Sequence, residues 1–169
     1  MNYAPSRPDS REWRRRLIPA TTVAAASLAI TLPLPLAWGL MPNLALLLIL
    51  VWASVQPRLM PIWAAFLLGL LHDIFTAGPF GLFGLLFPLT VLAVRAGDGR
   101  LRTRMMRTDW LLAAILILAL HVLAWQLFAL IGQPQPPLPL LAQGVVTAFA
   151  FPLALALAAL LHRRLVEEA

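Results

Sequence analysis

Six apolar runs without a single Asp, Glu, Lys or Arg divide this 169-residue chain and constrain its fold more than any motif. They cover residues 17–35, 41–55, 59–72, 80–94, 110–131 and 140–161. A helix needs about 20 residues, at about 1.5 Å each, to cross the roughly 30 Å hydrocarbon core of a bilayer. The first, fifth and sixth runs reach this length. The second, third and fourth are shorter, so as membrane spans they would be tilted only slightly or would have their polar ends in a thinned bilayer interface. The sequence therefore predicts an all-α polytopic membrane protein with a bundle of six transmembrane helices.

The composition excludes the main soluble alternatives. Hydrophobic residues make up 61% of the chain and charged residues 12%, against about 45–50% and 25% in ordinary globular domains. So few charges could not cover the surface of a water-soluble domain of this size, and so apolar a chain is not disordered. The absence of cysteine excludes thiolate catalysis, zinc–thiolate sites and a disulfide scaffold.

Every basic residue is an arginine, and with six spans all 13 lie on one side of the bundle. The connections over residues 36–40, 76–79 and 132–139 contain none. The positive-inside rule makes the arginine side cytoplasmic, so both termini are predicted to be cytoplasmic. We expect an arginine-rich cytoplasmic segment over residues 1–16, the transmembrane domain over 17–161 and a cytoplasmic tail over 162–169.

The arginine clusters have three interpretations. They can act as topology signals alone, they can bind anionic lipid, or they can dock a cytoplasmic protein. Because they alternate with apolar runs, we do not expect a nucleic-acid partner.

Only three ionisable residues lie away from the predicted cytoplasmic side, namely His72, Asp73 and His121. For Asp73 three roles stay open: it caps the helix that opens after the turn at residues 77–81, it contacts a partner helix, or it is a proton or cation site. His121 is predicted to be a buried neutral residue that is hydrogen-bonded within the bundle. The depths of Asp73 and His121 along their helices differ by only about 5 Å, so the two would meet if their helices were neighbours.

No arrangement of residues in the sequence indicates catalysis. The sequence has no second carboxylate within the spans, no H-x-x-x-H or H-E-x-x-H spacing for a metal, and no glycine-rich phosphate loop. We therefore expect no enzymatic activity, no metal and no cofactor.

Small residues repeat every four positions in two of the spans. Ala150, Ala154 and Ala158 do so in the sixth run, and Ala65 and Gly69 in the third. Such faces allow helices to approach closely, either within the bundle or against a helix of a partner.

One stretch resembles the signature of a known family. The run Gly69-Leu70-Leu71-His72-Asp73, followed by Pro79-Phe80-Gly81 and Leu85, is similar to the motif of the rod shape-determining protein MreD family. There a G-L-x-x-D run ends one span and a P-x-G turn opens the next. The resemblance makes Gly69, His72, Asp73, Pro79 and Gly81 the family-motif residues of this chain, for capping or partner contact.

The resemblance implies a multi-pass subunit of the bacterial inner membrane that belongs to the cell-elongation machinery. Its implied partners are MreC, MreB filaments, and RodA with its penicillin-binding transpeptidase, besides membrane lipids. Its implied role is that of a non-catalytic scaffold during lateral peptidoglycan synthesis. The family also looks like the substrate-binding subunits of energy-coupling factor vitamin transporters, which keeps a small-molecule binding subunit as the alternative. That alternative requires several convergent polar groups on the outer side.

Overall fold

The computed structural model describes residues 10–31, 41–97 and 106–162, with side chains given for 17–31, 41–97 and 110–160. These ranges contain helices and turns and no strand, so the predicted all-α class is confirmed. The helices are α1 Ser10–Ala29, α2 Leu44–Val55, α3 Ile62–Thr76, α4 Leu82–Gly97, α5 Met106–Leu130 and α6 Pro137–His162.

The first helix begins earlier than the first apolar run. α1 starts at Ser10, seven residues before the run that opens at Leu17. Glu and Arg are good helix formers, so a charged stretch limits the apolar span without ending the helix. The arginines at 14–16 thus continue the same helix.

The helices fall into two length classes. Within α5 and α6, Trp110–Leu130 and Pro137–Leu160 are long and apolar enough to cross a membrane. α2, α3 and α4 have 12, 15 and 16 residues, or about 18 to 24 Å at about 1.5 Å per residue. By length and composition, two helices in the described part of the chain therefore qualify as membrane spans.

α2 is the central helix. Eight of its 12 residues are buried, and it packs against α1, α4 and α6. α3 pairs with α4 as one hairpin and α5 with α6 as another, while α1 also lies against α3. The core cluster is aliphatic over most of its extent, with Ile49, Leu50, Leu86, Phe87 and Ile117 among its fully enclosed side chains.

Polar contacts hold the N-terminus of α2 in this apolar setting. The Asn43 side chain caps the helix by accepting a hydrogen bond from the Leu46 N–H at 3.1 Å. The Asn43 N–H donates to the hydroxyl of Thr147 in α6 at 2.9 Å, and that hydroxyl donates to the Gln143 carbonyl at 2.7 Å. Each buried group therefore has a partner, and the start of α2 is fixed against α6.

The C-terminal end of α2 is fixed by two side chains from other helices. The Trp52 indole N–H donates to the hydroxyl of Thr22 in α1 at 3.0 Å. Beyond the helix, the Arg95 guanidinium at the end of α4 donates to the carbonyls of Pro57 and Met60, both at 3.2 Å. The α2–α3 turn and the last turn of α4 consequently lie at the same end of the molecule.

Replacing Thr147 tests the link between α2 and α6. Thr147→Val keeps the shape of the side chain but leaves the buried Asn43 N–H without an acceptor, which costs about 1–3 kcal/mol. We expect a lower thermal unfolding midpoint for the purified protein in detergent. Thr21→Val is the matched control, because the exposed Thr21 hydroxyl bonds only to carbonyls of its own helix. Equal destabilisation by both variants would contradict the assignment.

Candidate functional site

Asp73, in the last turn of α3, accepts three backbone hydrogen bonds from the start of α4. Its Oδ2 accepts from the N–H groups of Gly81 at 2.8 Å and Gly84 at 3.2 Å, and its Oδ1 accepts from Phe83 at 2.9 Å. The first N–H groups of a helix have no partner within that helix and form the positive end of its dipole. The carboxylate satisfies these donors and is itself buried. Its oxygens are therefore directed at α4 backbone.

The turn between the two helices gives these donors their direction. α3 ends at Ala77 in the left-handed conformation with φ 50°, and Gly81 has φ 95°. The latter angle strongly favours glycine, since a Cβ is poorly tolerated there. Pro79 contributes a carbonyl that accepts from the Leu82 N–H at 3.2 Å. The P-x-G sequence thus forms the bend that presents the Gly81 N–H to Asp73.

Gly69 allows the two helices of the hairpin to touch through their backbones. A Cβ at this position would overlap the carbonyl oxygen of Phe83 and lie 2.7 Å from the Gly84 nitrogen. Gly69 precedes Asp73 by four residues, so both lie on the same face of α3. Close approach at Gly69 brings the α4 N-terminus within reach of the carboxylate one turn later.

His72 points to a different neighbour. Its Nδ1 lies 3.1 Å from the Ser27 hydroxyl of α1, and that hydroxyl donates to the Val23 carbonyl at 3.0 Å. The single hydroxyl proton is used in the second bond, which assigns the imidazole proton to Nδ1 as the donor. The ring also packs edge-on against Phe83 with centroids 4.5 Å apart. His72 therefore joins α1 to the hairpin.

Sequence reasoning missed the partner of His72. Ser27 is buried at 0% exposure, yet in sequence it is one small polar residue within an apolar run, 45 positions away. The available signal is that a hydroxyl deep in an apolar helix requires an acceptor, and its own helix supplies one. Nothing in the sequence distinguishes a serine whose hydroxyl bonds only to its own helix from one that also accepts a hydrogen bond from an imidazole.

His121 lies in another part of the molecule. It sits between α5 and α6, where a Cβ at Gly144 would be 3.0 Å from its Cγ. Its Nδ1 donates to the Ile117 carbonyl at 2.8 Å, while the buried Nε2 has no hydrogen-bond partner among the described residues. The structure places Asp73 at the α3–α4 contact instead, so these two residues do not form one site.

The alanines of α6 differ in burial. Ala158 is buried, whereas Ala150 and Ala154 are partly buried and pack against the core. In α3, Ala65 and Gly69 are both buried. The α3 pair thus lies inside the bundle, and the α6 stripe is only partly covered by the described residues.

The polar side chains of His72 and Asp73 in the hairpin are buried and already hydrogen-bonded within the chain. Both oxygens of Asp73 are occupied by backbone donors, and Ser27 and His72 are enclosed at 0% and 1% exposure. Among the described residues, no group of three or more His, Asp or Glu side chains could hold a metal ion. The arrangement can fix two helices relative to each other.

These features define a protein of apolar helices. Its α3–α4 hairpin is fixed by the close backbone contact at Gly69 and by the hydrogen bonds of Asp73. The family model for rod shape-determining protein MreD matches residues 14–136, more than half of the chain. The chain therefore belongs to the MreD family, as the resemblance of its hairpin motif indicates. No curated protein and no solved structure matches it.

Replacing Gly69 tests whether the hairpin depends on backbone contact. In Gly69→Ala the new methyl group meets backbone atoms of Phe83 and Gly84, which cannot rotate away, so α4 must move from Asp73. We expect a loss of about 1–3 kcal/mol, the usual cost of overpacking, measured as a lower unfolding midpoint in detergent. Gly78→Ala in the same hairpin is the control, because its Cβ would lie 3.6 Å from the Thr76 hydroxyl, an ordinary contact. If Gly69→Ala were as stable as Gly78→Ala, the close approach would not matter.

Proposed function

We propose that this protein is a non-catalytic scaffold subunit of the bacterial cell-elongation complex in the inner membrane. MreD family membership implies a role in rod shape determination. The finer proposal is that the chain links MreC, MreB filaments, and RodA with its penicillin-binding transpeptidase during lateral wall growth. It acts through helix contacts and carries out no reaction itself.

The observation that carries this proposal is the inward direction of the polar groups in the α3–α4 hairpin. Asp73 and His72 are occupied by partners inside the chain, whereas the outer surface is aliphatic and aromatic. The exposed large side chains of the hairpin are Trp63, Phe66, Leu67, Ile74, Phe80, Leu85, Leu89 and Leu92. Such a surface suits lipid chains and the helices of membrane partners.

We also propose the six-span arrangement, with residues 1–16 and 162–169 cytoplasmic and the transmembrane domain over 17–161. Two contacts support it. Arg95 bonds to the α2–α3 turn, so two arginine-bearing regions share one end. The α3–α4 turn and the α5–α6 connection, both free of arginine, line one cavity and thus also lie together. The arginine clusters themselves lie outside the described side chains.

Reporter fusions test this topology. Fusions at residues 40, 78, 100, 135 and 169 should report periplasm, periplasm, cytoplasm, periplasm and cytoplasm, because the arginines hold their side inside. A phosphatase that requires export and a cytoplasmic fluorescent protein provide complementary signals at each position. A periplasmic signal at residue 100 or 169 would rule out the six-span arrangement.

Variants of Asp73 test the scaffold proposal together with the role of this residue. We propose that Asp73 acts as a cap for α4. Asp73→Ala removes the acceptor of three N–H groups at the start of α4, and the loss of a helix N-cap costs about 0.5–2 kcal/mol. Asp73→Asn keeps one acceptor oxygen. We expect Asp73→Ala to accumulate less in membranes and to lose copurified partners only in proportion, with Asp73→Asn intermediate. Abundance, copurification with mass spectrometry and rescue of cell shape are measured for both.

The other two roles of Asp73 give different results. Normal abundance with lost copurification for Asp73→Ala would make it a partner contact. Loss of shape rescue in Asp73→Asn, with abundance and complex intact, would make it a proton or cation site. Turnover of a lipid-linked precursor by the purified chain alone would overturn the non-catalytic proposal.

A substrate-binding membrane subunit of an energy-coupling-factor-like vitamin transporter is the second candidate. The observation that favours it is a cavity of 420 Å³ between the α3–α4 turn and the α5–α6 connection, within the usual range of about 300–1,000 Å³ for ligand sites. A deletion strain separates the two functions. Loss of rod shape with normal vitamin uptake supports the scaffold, and the reverse supports the transporter.

A further inference from the structure

The 420 Å³ cavity is formed where two connections meet. The α3–α4 turn forms one wall with Thr76, Ala77, Gly78 and Pro79. The α5–α6 connection and the start of α6 form the other with Gln133, Gln135, Pro136, Pro139, Leu140 and Gln143. Phe83 and Phe128 contribute aromatic rings. The cavity thus belongs to the arginine-free end of the molecule.

Glutamines are concentrated in this cavity. The chain has five glutamines, and Gln133, Gln135 and Gln143 all line it. Their side-chain amides form no hydrogen bond within the described part of the chain. Gln143 is partly buried in α6, an apolar helix. The glutamine amides remain accessible, because the Nε2 of His121 is the one buried side-chain polar atom without a partner among the described residues. They are therefore available to donate and accept hydrogen bonds with a ligand that enters the cavity.

The character of the walls limits the class of ligand. Among the described lining residues none is ionisable, so a buried charge on a ligand would find no counter-charge. The Thr76 hydroxyl donates to the His72 carbonyl at 2.9 Å, which leaves its oxygen as an acceptor. Amides both donate and accept, as do the hydroxyl groups of an uncharged ligand. Aromatic rings offer apolar faces beside them.

The site has features of a preformed pocket. Three prolines line it, Pro79, Pro136 and Pro139, and each fixes its own φ angle. The Trp125 indole N–H donates to the Gln135 carbonyl at 3.1 Å, which holds the α5–α6 connection on α5. The backbone would therefore lose little conformational freedom on binding, which favours affinity for a small ligand.

We propose that this cavity binds an uncharged sugar, with its hydroxyl groups on the glutamine amides and its C–H faces against the phenylalanine rings. The sugar is either a free saccharide or the headgroup of a neutral glycolipid, since both carry the same chemistry. This inference does not depend on the scaffold proposal, because it concerns a ligand of the isolated chain.

The test uses the full chain in phosphatidylcholine nanodiscs, prepared without maltoside detergents, which would themselves occupy a sugar site. Glucose, N-acetylglucosamine and maltose are titrated, and binding is followed by intrinsic fluorescence, to which Trp125 contributes from beside the site. We expect a saturable change for at least one of them. Equilibrium dialysis with the labelled sugar measures the same binding independently of the tryptophans.

Matched variants connect the binding to the cavity. Gln143→Leu removes the amide of this partly buried residue and should weaken sugar binding at least tenfold. Gln126→Leu removes an exposed amide of α5 that does not line the cavity, and it should bind as the unaltered protein does. Glucuronate and glucosamine, which carry charges, should bind at least tenfold more weakly than the neutral sugar.

Each outcome has a defined meaning. Binding of a soluble sugar identifies a free saccharide site. Binding only in nanodiscs that contain monogalactosyldiacylglycerol, detected by lipid enrichment in mass spectrometry and lost in Gln143→Leu, identifies a headgroup site. No binding of either kind, equal binding by Gln143→Leu, or equal binding of glucuronate would overturn the proposal. Copurification of membrane partners is unaffected by any of these results, so failure here leaves the scaffold proposal standing.

Discussion

The carboxylate of Asp73 against the first N–H groups of α4 is the interaction on which the described structure depends. A short apolar helix in an apolar bundle satisfies the hydrogen bonds of its own backbone except for the N–H and C=O groups at its two ends. α3 and α4 are 15 and 16 residues long, so their ends make up a large share of each helix. With three donors bound to one side chain, the hairpin becomes a unit whose outer face can be entirely apolar.

Much of this hairpin could be predicted from the sequence because its parts lie close together along the chain. The acidic residue at the end of an apolar run and the P-x-G turn after it make a cap one of the three interpretations of Asp73, with the donors close to the turn at residues 77–81. The structure gives Gly81, Phe83 and Gly84 as donors, up to three residues further on. That shift arises because the helix begins at Leu82, and the free N–H groups follow its start. Helix starts are poorly defined by apolar periodicity alone.

The contacts that could not be predicted join segments far apart in sequence. Ser27 meets His72, Asn43 meets Thr147, and the three cavity glutamines face a turn about 60 residues earlier. Each depends on which helices become neighbours, and an apolar sequence carries little information about that choice because most faces are equally hydrophobic. The possible meeting of Asp73 with His121 illustrates the difficulty, since the two depths agreed but the helices pair differently. The position of a residue along its helix follows from the sequence, whereas the choice of neighbouring helices does not.

The physical reason for the MreD hairpin motif follows from the geometry of its members. Gly69 without Asp73 would bring two backbones together and leave donors unsatisfied at the start of α4. Asp73 without Gly69 would face a helix held too far away, since a single methyl group on residue 69 already overlaps the Phe83 backbone. Gly81 must adopt a positive φ for its N–H to reach the carboxylate. The glycine, the aspartate and the P-x-G turn therefore act as one structural unit, because each stabilises the hairpin only when the others are present. His72, which lies between them in sequence but faces α1, then connects this unit to the rest of the bundle through Ser27.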